Sequence, residues 1–234
     1  MDELKRQART AGVLYLLVAI TAPIGLIYAP GALFVSGNAP ATAHHIRTSE
    51  SLLRIGIASE LFHQVVQVFL VLALYRLFKA VNEAHARQLV IFGALVSVPI
   101  VFVNVINEIA ALILASGAEF LSVFDKSQLD ALAYLFVRLH SQGINVVEIF
   151  WGLWLFPFGI LVRRSGFIPR ALGVLLMLAG YAYVVDSLTT LLLPRYADMV
   201  GELAGFVELG EIPIIFWLLI WGAKERRADT LASP

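Results

Sequence analysis

Six long apolar stretches alternate with short polar connections along this chain of 234 residues. A helix needs about 20 mostly apolar residues to cross the roughly 30 Å hydrocarbon core of a bilayer, and the six stretches meet or approach that length. The pattern therefore predicts an all-α polytopic membrane bundle, one transmembrane domain over residues 1–234. The predicted transmembrane helices cover residues 11–29, 52–75, 89–115, 132–162, 171–193 and 205–222.

Two features of the pattern predict departures from six plain helices. The fourth stretch is longer than a bilayer requires and has a polar start, so its helix either projects beyond the membrane or bends at Gly143. In the first long connection, residues 42–51 follow a segment rich in Ser, Gly, Pro and Ala, and they predict a short interfacial helix.

Basic residues are concentrated on one side of the predicted bundle. The positive-inside rule therefore predicts cytoplasmic termini and a multi-pass protein of the inner (plasma) membrane. An alternative is a cleaved secretory signal ending near Ala43, but the first apolar run is longer than such signals use and lies far from that site. The predicted inner side carries Lys5, Arg6, Arg9, Arg76, Lys79, Arg87, Arg163, Arg164, Arg170, Lys224, Arg226 and Arg227, and the opposite side Arg47, Arg54, Lys126 and Arg195.

Composition narrows the possible partners and chemistry. With 59% hydrophobic and 15% charged residues and a mean hydropathy of +0.83, the chain is too apolar for an ordinary soluble domain, so its main partner is the lipid bilayer. A net charge of +0 argues against nucleic acid. The absence of cysteine excludes disulfides, thiolate metal sites and cysteine nucleophiles. The common hydrolase, phosphate-binding and dinucleotide-binding motifs are also absent.

Polar residues recur at helical spacing inside five of the predicted helices. In the second helix, Glu60, His63, Gln64 and Gln67 follow i, i+3, i+4, i+7 spacing and form one stripe. A buried carboxylate is costly in a bilayer, so acids at similar depth in the outward half predict a shared polar cavity. The predicted lining comprises Glu60, His63, Gln64, Asn104, Glu108, Arg138, His140, Asn145, Asp186, Glu208 and Glu211.

Charge within this predicted cavity is unbalanced. Five carboxyl groups face one fixed cation, Arg138, and two histidines, so some acids are protonated, hydrated or occupied by a cation. Histidine and carboxylate ligands together suit a divalent metal such as Zn, Mn or Fe. The candidate ligands are His63, His140, Glu108 and Asp186, although hydrogen-bonded packing or a proton relay explains the two histidines equally well.

Five segments, residues 9–17, 42–56, 72–75, 165–174 and 217–222, together resemble one family of bacterial integral membrane proteins, DUF4386. The most specific is Ser165-Gly166-Phe167-Ile168-Pro169-Arg170-Ala171-Leu172-Gly173-Val174, in which Pro169 breaks the preceding helix and Gly173 permits close packing. The resemblance implies a multi-span membrane protein without an established activity, and it transfers no site residues.

Three functions are consistent with the sequence. The first is binding or transport of a small cation, metal ion or polar ligand in an outward-facing intramembrane cavity. The second is a membrane-embedded, hydrolase-like metalloenzyme in which the metal activates water. The third is a structural or regulatory membrane subunit whose polar core only fixes the packing of the helices.

Overall fold

The computed structural model describes residues 3–223 and is 89% helical, which confirms the predicted all-α class. Six helical segments are long and apolar enough to cross a membrane, as predicted, and are called spans 1 to 6 below. In chain order they are Glu3–Leu33, Glu50–Phe78, Glu83–Ala115, Lys126–Ser165, Arg170–Leu192 and Pro194–Ile220.

Residues 3–223 form ten α-helices, and all of them except α3 build the spans together with shorter helical turns. Span 6 begins at Pro194, upstream of the predicted residue 205, because a 3₁₀ turn and a helix with polar residues near its start precede the apolar run. The α-helices are α1 (Glu3–Pro23), α2 (Ala29–Leu33), α3 (Ala39–Thr48), α4 (Glu50–Phe78), α5 (Glu83–Val90), α6 (Ser97–Ala115), α7 (Lys126–Ser165), α8 (Arg170–Leu192), α9 (Ala197–Glu208) and α10 (Ile212–Ile220).

Spans 1 and 3 each contain a stretch of π-helix close to a proline. In span 1 the π segment Ile24–Tyr28 directly follows Pro23, and in span 3 the segment Ile91–Val96 precedes Pro99. Proline has no N–H to donate to the preceding turn, and such wider turns occur often at functional sites. One carbonyl of the second segment, that of Gly93, accepts a hydrogen bond from Gln67 Nε2 at 3.2 Å.

Helix α7 is longer than the membrane requires. Its 40 residues extend roughly 60 Å, about twice the hydrocarbon thickness, so it projects beyond the bilayer. Asp125 and Gln128 form a capping box at its start, and Gly166 ends it with a φ of 74°. The α-helix continues without interruption through Gly143, where the sequence allowed a bend.

Glycines allow spans 4 and 5 to pack backbone against backbone at two crossings. A Cβ added at Gly152 would lie 2.5 Å from the carbonyl oxygen of Gly180, and one added at Gly159 would lie 2.5 Å from that of Gly173. The glycines are seven residues apart on each helix, so both lie on the same face of an antiparallel pair. The predicted role of Gly173 in close helix packing is thereby explained.

The two described ends of the chain lie at the same end of the bundle. A Cβ on Gly222 would lie 3.1 Å from Lys5 Cγ, and one on Gly12 would lie 2.7 Å from the Leu219 nitrogen. Spans 1 and 6 are therefore in close contact at this end, called the termini end below. The basic residues Lys224, Arg226 and Arg227, which contributed to the predicted orientation, lie outside the described residues.

A short helix is present in the first long connection, as α3. Asn38 caps it by accepting a hydrogen bond from the Ala41 nitrogen at 3.0 Å. Arg47 then joins α3 to span 4 through an ion pair of 2.8 Å with the buried carboxylate of Asp130, which also pairs with Lys126 at 2.6 Å. This network fixes the connection at the end of the bundle opposite the termini.

Candidate functional site

Three buried ionisable side chains from spans 2, 3 and 4 meet between α4, α6 and α7. His140 Nε2 lies 3.4 Å from Glu60 Oε1 and 3.9 Å from Glu108 Oε1. One ligand atom from each residue falls within 4.8 Å of the other two. The three residues, called the Glu-Glu-His group below, were all among the predicted lining residues, and each lies on a different span.

The two carboxylates of this group have no well-placed hydrogen-bond donor among the described residues. Glu60 and Glu108 are both 0% exposed, and none of their four Oε atoms accepts a hydrogen bond of good geometry within residues 3–223, although His140 Nε2 faces Glu60 Oε1 at 3.4 Å. A buried polar atom without a partner costs about 1 to 3 kcal/mol, and an ionised one costs more. Two such carboxylates side by side therefore require protons or a cation between them.

Asn104 orients the histidine of the group. Its Nδ2 donates to the carbonyl oxygen of His140 at 2.9 Å and lies 3.2 Å from His140 Nδ1, while Asn107 donates to Asn104 Oδ1 at 3.1 Å. His140 Nδ1 also lies 3.5 Å from the Asn104 carbonyl oxygen. The Nδ1 edge of the ring is therefore engaged by α6, and Nε2 faces the carboxylates, as in histidines whose other nitrogen binds a metal.

Two glycines make room for these side chains. A Cβ on Gly143 would overlap the Asn104 amide, so the absence of a side chain there allows Asn104 to reach His140. In span 1, a Cβ on Gly25 would lie 2.5 Å from Glu60 Cγ. Gly25 belongs to the first π segment, and the backbone of span 1 thus packs directly on the Glu60 side chain.

A second polar region surrounds a cavity of about 440 Å³ that is lined by residues of spans 1, 2, 4, 5 and 6. Tyr15 OH donates to Glu211 Oε2 at 2.5 Å, and Tyr15 packs on Trp154 with ring centroids 5.9 Å apart. The polar and aromatic lining comprises Tyr15, His63, Gln67, Trp151, Trp154, Tyr183, Glu208 and Glu211. This region is called the aromatic cavity below.

Further acids lie near the aromatic cavity. Glu148 of α7 is within Coulombic range of Asp186 and Glu208, which places carboxyl groups of spans 4, 5 and 6 close together. The Oδ1 atom of Asp186 is buried and accepts no hydrogen bond within the described residues. No ion pair joins any of these acids or Glu211 to a Lys or Arg in residues 3–223.

The structure divides the predicted lining between two places. Glu60, Glu108, His140 and Asn104 form the first, whereas His63, Glu208 and Glu211 line the aromatic cavity. The remaining residues have separate environments. Gln64 is buried beside His63, the Asn145 carbonyl accepts a hydrogen bond from Ser187, Asp186 lies against Gly201, and Arg138 is exposed.

The predicted metal ligands separate in the same way. His140 and Glu108 belong to the Glu-Glu-His group, where Glu60 is the third member, while His63 and Asp186 lie elsewhere. Sequence reasoning did not identify Tyr15 or Gly25. Tyr15 carries a hydroxyl in the middle of an apolar span, which is a signal that was available, whereas nothing in the sequence marks Gly25 as a neighbour of Glu60.

Comparison with known proteins gives a family but no activity. The family model described as "Domain of unknown function (DUF4386)" matches residues 10–222. An uncharacterized protein from the archaeon Archaeoglobus fulgidus is 32% identical over 91 residues, which is 39% of this chain and 52% of that protein. The match therefore spans about half the length of that relative. No solved structure matches the chain.

Proposed function

The chain belongs to the DUF4386 family, and we propose that it binds a divalent metal ion inside the membrane, between spans 2, 3 and 4. Glu60, Glu108 and His140 are the proposed ligands. The observation that carries this proposal is the pair of fully buried carboxylates whose oxygens accept no hydrogen bond within the described residues. A bound cation would satisfy both carboxylates and the facing imidazole nitrogen.

The spacing of the ligand atoms supports a metal. At metal–ligand distances of roughly 2.1 Å, tetrahedral ligands are about 3.4 Å apart. His140 Nε2 is 3.4 Å from Glu60 Oε1 and 3.9 Å from Glu108 Oε1, and all three ligand atoms lie within 4.8 Å of one another, so side-chain shifts of at most about 1.4 Å would complete the geometry.

Charge and ligand type support the same conclusion. Two ionised carboxylates, a neutral imidazole and a divalent cation form a neutral set, which removes most of the penalty for burying each charge separately. A nitrogen ligand beside two carboxylates favours Zn, Mn or Fe over Mg or Ca, which prefer oxygen ligands alone. A proton shared by the two acids would leave one negative charge, and within the described residues only a protonated His140 could balance it.

The side of the membrane follows from the basic residues. Lys5, Arg6 and Arg9 lie at the termini end, so the positive-inside rule assigns that end to the cytoplasm of a plasma-membrane protein. Span 2 then runs inward from Glu50, and Glu60 lies about 15 Å along it. In this orientation the metal site belongs to the outward half of the bilayer.

Metal analysis of the full chain in lipid nanodiscs tests the proposal. After removal of adventitious metal with a chelator, titration with Mn²⁺ and Zn²⁺ is expected to reach one tightly bound ion per chain. Glu60→Gln and Glu108→Gln should each weaken binding by at least about 100-fold, because each removes an ionised ligand. Glu50→Gln, an exposed acid on the same helix as Glu60, is the matched control and should bind as the wild type does.

Two results would overturn the proposal. One is a chain that retains its fold and binds neither metal stoichiometrically. The other is binding that is unchanged in a folded Glu60→Gln, Glu108→Gln double variant, which would place the ion elsewhere. Gel filtration and circular dichroism of every variant separate loss of metal from loss of fold.

A further inference from the structure

Spans 1 and 6 touch at the termini end and separate beyond it. Their contact is tightest where Gly12 meets Leu219, and farther along the spans the aromatic cavity lies between them. Ile27 of span 1 and Leu209 of span 6 line this cavity and are 70% and 55% exposed. Both belong to segments apolar enough to cross a membrane, in which exposed apolar side chains would face lipid tails.

We infer that the aromatic cavity is a binding site for a single-chain amphiphile with an ammonium head group, which enters from the bilayer between spans 1 and 6. The polar depth of the cavity would hold the head group, and the apolar opening would hold the chain. This site shares no residue with the Glu-Glu-His group.

The inner, polar part of the cavity is lined by the kinds of side chain that bind ammonium ions. Four aromatic rings, those of Tyr15, Trp151, Trp154 and Tyr183, line it together with two carboxyl groups. Aromatic faces attract organic cations, and quaternary ammonium ligands are characteristically held in such cages. Glu208 and Glu211 supply negative charge, and no Lys or Arg of residues 3–223 lines the cavity.

The opening of the cavity has the chemistry of an acyl chain site. Leu26 and Ile27 contribute one wall and Leu209 and Ile212 the other, so the polar depth is reached through an apolar passage. A free inorganic cation would not need such a passage, whereas a chain that already lies among lipid tails enters it without being transferred to water. The volume of about 440 Å³ lies in the lower part of the usual range for small-ligand sites, which favours one chain over two.

Tryptophan fluorescence tests this inference on the full chain in nanodiscs of zwitterionic lipid. The chain has four tryptophans, and replacing Trp217 and Trp221 with Phe leaves the two that line the cavity. The probe is dodecyltrimethylammonium with a bromine on the third carbon from its nitrogen, next to the head group, because bromine quenches indole on contact. We expect saturable quenching, reversed by unlabelled dodecyltrimethylammonium but not by tetramethylammonium at the same concentration.

Different substitutions test the binding of the head group and the access of the chain through the apolar passage. The double variant Glu208→Gln, Glu211→Gln should raise the half-saturating concentration by about tenfold to a hundredfold, because it removes the charges that face the ammonium group. Gly205→Leu should also weaken binding, because Gly205 lines the cavity and a leucine side chain there would occupy part of its volume. Glu202→Gln, an exposed acid on the same helix, is the control and should leave quenching unchanged.

Three outcomes would overturn the inference. Equal, non-saturating quenching by the brominated ammonium probe and by the matching bromododecanol would mean that both simply partition into lipid. Unchanged affinity in the folded glutamine double variant would remove the ammonium assignment. Crosslinking of two chains through Ile27→Cys, with no probe binding to the wild type, would show a second copy covering the opening.

Discussion

Replacing Gly152 with Ala should destabilise the protein, because it separates spans 4 and 5 at one of their two glycine crossings. The new Cβ would lie 2.5 Å from the Gly180 carbonyl oxygen, whereas ordinary contact begins at 3.4 Å. The added Cβ would thus be about 0.9 Å too close to a backbone oxygen, which cannot rotate away as a side chain can. The two helices must therefore shift relative to one another along the interface that positions α7 and α8.

The expected size of the effect combines two opposing contributions. Overpacking of this kind costs about 1 to 3 kcal/mol, and a contact against backbone belongs at the upper end of that range. Alanine also favours the helix over glycine by about 1 kcal/mol. The net loss of stability should thus be about 2 kcal/mol. Gly159→Ala, about 10 Å farther along α7 at the second crossing, should add a similar loss.

Equilibrium unfolding in mixed detergent and SDS micelles, followed by circular dichroism, measures the change. Gly205→Ala is the matched control: Gly205 is also inside a helix, but a Cβ there meets nothing within 4 Å, so the variant should be as stable as the wild type or up to about 1 kcal/mol more stable. If Gly152→Ala behaves like Gly205→Ala, the close approach of spans 4 and 5 is refuted.

Three further predictions concern the site and its surroundings. Gly25→Ala should weaken metal binding by about 10- to 100-fold in a titration, because its Cβ would displace Glu60, whereas Gly31→Ala, which meets nothing within 4 Å, should not. Metal affinity should fall as the pH is lowered from about 8 to about 6, because protons compete for the ligands; affinity that is constant or rises on acidification would contradict the proposed ligands. Asp130→Asn should lower stability by about 1 to 3 kcal/mol in thermal unfolding, since it weakens the buried ion pairs with Arg47 and Lys126, while the exposed Glu119→Gln should have little effect.

Helical periodicity and depth placed Glu60, Glu108 and His140 among the predicted lining residues, but they did not single out these three as one group. All three are polar residues inside apolar spans, where they could not face lipid, and they are buried together. Helical periodicity also explains why Arg138 is exposed although His140, two residues later, is buried. Residues two apart on a helix are separated by about 200°, so Arg138 cannot share a face with His140.

The sequence could not predict that the polar residues divide between the Glu-Glu-His group and the aromatic cavity. Glu60 and His63 differ by about 60° around α4, and which neighbour each meets depends on how the spans pack. The π segments Ile24–Tyr28 and Ile91–Val96 add to the difficulty, because a wider turn rotates all later residues relative to a regular α-helix. Gly25 could be recognised as a neighbour of Glu60 only once that rotation was known.

Since the Glu-Glu-His group draws only on spans 2, 3 and 4, it has a consequence for biosynthesis. The ribosome delivers these helices before spans 5 and 6, so the three ionisable groups can find one another as soon as α7 enters the bilayer. Helices that insert independently and then associate would otherwise leave Glu60 and Glu108 facing lipid during translation. Early association of spans 2 to 4 would shield these acids while the rest of the polypeptide is still being made.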